Sequence, residues 1–128
     1  MHKLHNPDTI TKPASNYAQG VETAADLRHL FVSGQIGMAP DGTIQQGFEA
    51  QCRTAFDNIK GVLASAGMGL EDVVKLTVFL TNPADIGAFR AIRDEVMGGV
   101  RTASTLLIVA GLASPDFLVE IEVNAAKV

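Results

Sequence analysis

The chain has 128 residues, 47% hydrophobic and 19% charged, with a formal net charge of −4. That describes one folded domain, residues 1–128, able to bury about two-thirds of its unfolded surface, and it excludes a disordered chain. No apolar run reaches the ~20 residues a membrane span requires.

Other classes drop out on residue type. The segment Met1-His2-Lys3-Leu4-His5-Asn6-Pro7 has no hydrophobic stretch of signal-peptide type, so a cytoplasmic protein is expected. A single cysteine, Cys52, allows no intrachain disulfide. The three histidines, His2, His5 and His29, lack metal-ligand spacing, and no structural metal is expected. Ten Lys and Arg residues are scattered rather than clustered, which argues against a nucleic-acid partner.

In chain order, residues 1–15 read as a polar, extended arm with Pro7 and Pro13. Tyr17 to Glu22 is a short strand candidate, and Arg28 to Gln35 alternates as a second strand, so the two predict an antiparallel hairpin. Gly34 and Gly37 bracket the end of that second strand, where backbone can approach closely. Met38 to Thr43 carries Pro-Asp-Gly turn chemistry.

From Gln45 to Ala66 the period changes. Phe48, Cys52, Ala55, Phe56, Ile59, Val62 and Leu63 recur every three or four residues and predict an amphipathic helix that stops at Ala66-Gly67. Val73 to Leu80 predicts a strand with Val74, Leu76, Val78 and Leu80 on one face. Asn82-Pro83 is a helix-start signature, and Ile86, Phe89, Ile92, Arg93 and Val96 carry the second helix to Met97, before Gly98-Gly99.

Ala103 to Ala110 is apolar on both faces and predicts a strand covered on both sides. Phe117 to Ala125 predicts the last strand, with Phe117, Val119, Ile121 and Val123 inward and Glu120 and Glu122 on the opposite face. A carboxylate placed in such a run either faces water or belongs to a site. The order β-β-α-β-α-β-β is an α+β fold with both helices on one sheet face. The apolar second face predicts a homo-oligomer packed sheet to sheet.

The segments Tyr17-Ala-Gln-Gly-Val21, Phe31-Val-Ser-Gly-Gln-Ile36, Ala55-Phe-Asp-Asn-Ile-Lys60, Asp72 to Leu80, Val109-Ala-Gly-Leu112 and Leu118-Val-Glu-Ile-Glu122 resemble the Rid (YjgF) family of reactive-intermediate, or enamine/imine, deaminases. They run in order over nearly the whole chain. The resemblance implies a chorismate-mutase-like fold and a homotrimer with three clefts between subunits. Each cleft would bind a small 2-imino or 2-amino-unsaturated acid and hydrolyse it, without a cofactor, to a 2-keto acid and ammonia.

The resemblance assigns the pocket tyrosine to Tyr17, the pocket serine to Ser33 beside Gly34, and the water-positioning glutamate to Glu120. The substrate-binding arginine has no counterpart, because its position is Ser104, and a position often occupied by cysteine is Leu106. An arginine grips a carboxylate as a charged planar fork, whereas a serine hydroxyl makes one neutral hydrogen bond. Arg101 is the nearest alternative. On a strand it would lie about 10 Å from Ser104 on the opposite face, and it reaches the cleft only if it folds back from the preceding loop.

Two readings stand from different classes: a deaminase or related hydrolase, and a non-deaminating ligand-binding trimer with specificity changed by Ser104. Ribonuclease activity, also attached to this family, is disfavoured by the acidic balance.

Overall fold

The computed structural model describes residues 2–128. Its elements are β1 (Lys3–His5), β2 (Gly20–Glu22), β3 (Arg28–Ile36), α1 (Phe48–Ser65), β4 (Val73–Leu80), α2 (Ile86–Met97), β5 (Ala103–Ile108) and β6 (Val119–Lys127). Four strands form one sheet in the order β3-β6-β4-β5. β6 runs antiparallel to both β3 and β4, while β4 and β5 are parallel. A parallel pair needs a crossover, and α2 supplies it.

Both helices cover one face of this sheet, as predicted. Cys52, Ala55, Phe56, Ile59 and Leu63 of α1 and Phe89, Ile92 and Met97 of α2 are buried against Val32, Leu76, Val78, Leu80, Val119, Ile121 and Val123. The rings of Phe56 and Phe89 stack where the helices meet, with centroids 6.3 Å apart. Burying a side chain of this size contributes roughly 1.5–3 kcal/mol before the entropy of ordering is counted. Gly67 and Gly98, with φ of 70° and 59°, end the two helices in conformations that residues with a Cβ avoid. The Asn82 side chain accepts a 3.0 Å bond from the Ala84 amide, and this cap opens a single 3-10 turn, Pro83–Asp85, before α2.

The N-terminal third departs from the sequence reading. The arm contains a strand, β1, which pairs with β2, so the order is β-β-β-α-β-α-β-β and the predicted hairpin between Tyr17–Glu22 and Arg28–Gln35 does not form. The Gln19 amide bonds Asn6 and its side chain bonds Thr11, tying β2 to the arm. β3 instead pairs with the nine-residue β6, a longer ladder that places Val32 opposite Val123 in the core.

Two bulges set the registers. Between Val73 and Lys75 the β4 ladder takes one extra residue, which turns Val73 into the core at 2% exposure and leaves Val74, the predicted core residue, only half-buried. The second bulge lies between Val32 and Gln35, at Ser33-Gly34. The last strand also begins later than predicted, at Val119, and runs to Lys127.

Gln51 is a buried polar residue within the apolar stripe of α1. Its Nε2 donates to the carbonyls of Gln45 at 3.0 Å and Asp116 at 2.9 Å, and its Oε1 accepts from the Leu118 amide at 2.9 Å. Gly37 packs directly on it, since a Cβ there would overlap the Gln51 backbone. Gln51 thereby fixes the chain just before Glu120.

Candidate active site

Glu120 lies on the sheet face away from the helices, opposite Phe79 on β4 and Ile36 on β3. Its side chain crosses the β3 bulge. A Cβ on Gly34 would collide with the Glu120 carboxylate, so the glycine is what lets the carboxylate lie there. Ser33 is exposed beside it, and its carbonyl accepts a 3.0 Å bond from Gln35 Nε2. Asn58 of α1 holds the end of β3 through bonds to the carbonyls of Ile36 and Met38. Glu120 is half-buried, and no side-chain hydrogen bond or ion pair among the described residues engages its carboxylate. A carboxylate so placed is free to hold a water molecule.

A second cluster forms at the free edge of β5. Ala18 bridges Ala103 in parallel, with its amide donating to the Thr102 carbonyl at 2.8 Å, which brings Tyr17 alongside the strand. Ser104 and Leu106 share the sheet face of Leu76 and Val78, the helix side. Tyr17, Ser104 and Leu106 line a cavity of ≈160 Å³ together with Ser15, Phe89, Arg90 and Arg93.

The sequence-predicted residues therefore separate into two groups. Gly34 and Glu120 meet beside Ser33, and Tyr17 meets Ser104 and Leu106, but Glu120 and Ser104 face opposite sides of the sheet on strands separated by β4. Arg101 stands away from Glu120 and lines, with Tyr17 and Ser15, a separate cavity of ≈480 Å³ against the N-terminal arm. It is exposed, and its guanidinium donates to Asn16 Oδ1 at 3.3 Å rather than turning towards Glu120. The reason is positional: Arg101 precedes β5 and faces the N-terminal arm.

The sequence reading did not name Gln51 and counted Arg93 only as part of the α2 stripe; the signal for both was a polar side chain on a buried helix face. The lone thiol is a core group: burial pushes the Cys52 pKa up to about 12. On the solvent side, Arg53 of α1 pairs with Glu95 of α2, and its hydrogen bond holds the Glu95 carboxyl below the usual range. Among the described residues no cluster of three or more His, Cys, Asp or Glu side chains can hold a metal ion, and no helix is long and apolar enough to cross a membrane.

The architecture is a two-layer α+β fold, with two helices packed on one face of a mixed four-stranded sheet. The family model described as Endoribonuclease L-PSP matches residues 8–127, and the chain belongs to this family. It is 35% identical over 122 residues to RutC family protein PH0854 of Pyrococcus horikoshii, covering 94% of each chain. RutC family protein YjgH of Escherichia coli K12 is 35% identical over 94 residues, 72% of each chain. Among solved structures, the Rid protein family member YyfB of Yersinia pestis superposes with a TM-score of 0.88 at 31% identity, covering 98% of each chain.

Proposed function

We propose that this protein is a cofactor-free hydrolase of small 2-imino acids that works as a homotrimer, with each cleft formed between two protomers. One observation carries the proposal: the Glu120 carboxylate lies unpaired across Gly34, poised to orient a water molecule. Water adds to the imine carbon while Glu120 takes its proton. Glu120 passes that proton to the nitrogen. The carbinolamine then gives its hydroxyl proton through the same carboxylate to the departing amine, expelling ammonia and leaving the 2-keto acid. Imine plus water thus becomes ketone plus ammonia. A relative over 62% of the chain, TdcF of Escherichia coli, carries a provisional name as a reactive intermediate deaminase.

The trimer is supported by the outer sheet face, where Phe31 and Leu107 are 73% and 44% exposed. It also resolves the separation of the two groups. The Gly34–Glu120 half of one protomer would meet the Tyr17–Ser104 half of the next, so neither half needs to cross its own sheet. A single buried thiol suits a reducing cytoplasm.

The test is ammonia release from 2-iminobutyrate generated enzymatically in situ. Micromolar protein accelerates it, and Glu120→Gln abolishes the acceleration in a protein of unchanged melting temperature. An unchanged rate with wild-type protein contradicts the hydrolase reading. Binding of 2-ketobutyrate without hydrolysis would instead support the ligand-binding trimer, the reading that Ser104 in place of an arginine favours.

A further inference from the structure

The stripe that α2 buries is Phe89, Ile92, Arg93 and Met97, and one of these four is a cation. Placing a guanidinium in a core costs several kcal/mol unless its donors are partnered. Arg93 is only 7% exposed along its side chain. Its Nε and Nη2 donate to Asp94 Oδ1 at 3.2 and 3.0 Å, and Nη2 also donates to Ser15 Oγ at 3.2 Å. The guanidinium carbon lies 5.9 Å from the centre of the Phe89 ring, which fixes the plane of the group.

These contacts use one edge of the fork. Nη1 takes part in none of them, and among the described residues no fully buried side-chain nitrogen or oxygen is left without a partner, so Nη1 reaches accessible space. Arg93 is one of the residues that line the cavity shared with Tyr17, Ser104 and Leu106. At ~30 Å³ per water, its ≈160 Å³ equals about five waters, the scale of a short-chain 2-keto acid. The Tyr17 hydroxyl accepts from the Ala14 amide at 3.3 Å, which leaves its proton to donate.

We propose that Arg93, carried by α2, is the carboxylate-binding residue of this protein, taking over across the cavity the role that Ser104 cannot fill from β5. The cavity then accepts a small monocarboxylate, with its acid group between Arg93 Nη1, the Tyr17 hydroxyl and the Ser104 hydroxyl. This inference rests on the reading of the cleft as a site for 2-imino and 2-keto acids.

The experiment is titration of 2-ketobutyrate, acetate and benzoate into the 128-residue protein and three variants, followed by calorimetry or ligand-detected NMR. One charge-assisted bond lost predicts that Arg93→Gln weakens 2-ketobutyrate binding by about 10- to 100-fold. The double variant Arg93→Gln/Ser104→Arg regains at least part of that affinity, which a merely structural Arg93 would not allow. In imine hydrolysis, KM rises more than kcat falls. A folded Arg93→Gln that binds within about two-fold of wild type overturns the proposal.

If Arg93→Gln does not fold, Ser104→Phe fills the cavity from the strand edge, and retained binding there overturns it equally. Failure of wild-type protein to bind any of the three acids overturns both the clamp and the reading beneath it. Retained binding in the variants overturns the clamp alone.

Discussion

The two halves of the candidate site are built by different physics. The Gly34–Glu120 half is a matter of strand register: a bulge in β3 and the alternation of β6 bring a glycine under a carboxylate. The Tyr17–Ser104–Arg93 half is a matter of packing between elements far apart in sequence, an edge strand, a bridge at Ala18 and a buried helix face. In the first, added volume at Gly34 displaces the Glu120 carboxylate. The second is a cavity, and it tolerates changes that keep its charge.

Substitutions at each half break the comparison in order of effect. Gly34→Ala drives a methyl into the Glu120 carboxylate. A misplacement of about 1 Å at the reacting groups costs on the order of 100-fold, so imine hydrolysis should fall by about that factor at saturating substrate. A steady-state kcat within a few-fold of wild type would show that the carboxylate does not need this seat.

Gln51→Leu tests what holds that half in place. It leaves the Asp116 and Gln45 carbonyls and the Leu118 amide unpaired. Unmet buried groups of this kind cost about 1–3 kcal/mol, a fall in melting temperature of about 4–10 °C. Turnover should drop with it, since the chain entering β6 loosens, while affinity for 2-ketobutyrate at the other half changes less.

Beneath both halves lies Cys52, fully buried, with its thiol pushed up to about 12. It should resist a thiol reagent at pH 8 until the protein unfolds. The unfolded chain loses this proton near 9.0, the folded chain only near 12. The protonated thiol's contribution to stability is therefore complete below pH 9 and is lost progressively from there towards pH 12. A melting temperature that climbs over that range in Cys52-containing protein, relative to Cys52→Ala, would contradict the sign.

The smallest effect is expected at Arg101→Ala. Its guanidinium is exposed and bonds Asn16, so 2-ketobutyrate affinity should stay within about two-fold of wild type. A ten-fold loss measured by the same titration would move the clamp from Arg93 to Arg101.

How much was legible differed between the halves for the same reason. The stripe of α1 and the limits of β4 follow from period and residue type, which are local. Partner choice is not local. β3 pairs with β6 rather than β2 because Val32 and Leu30 match Val123 and Ala125 across the ladder, and no short-range signal states that. The bulge that exchanged Val73 for Val74 in the core is likewise set by β6. Gln51 and Arg93 fell on apolar stripes and passed as helix pattern. Each was a polar group at a core position, and the carbonyls and the cavity they serve come from distant segments.

The shared cleft is the central claim, and subunit complementation tests it directly. Glu120→Gln disables one half and Ser104→Phe the other, so each variant alone should hydrolyse 2-iminobutyrate at background rate. Unfolding the two together and refolding them in equal amounts randomises the protomers. In a closed ring where each cleft takes one half from each neighbour, about a quarter of the clefts are then intact. Recovery of about a quarter of wild-type activity per protomer is the predicted result. A mixture no more active than its two parents would contradict a site divided between protomers.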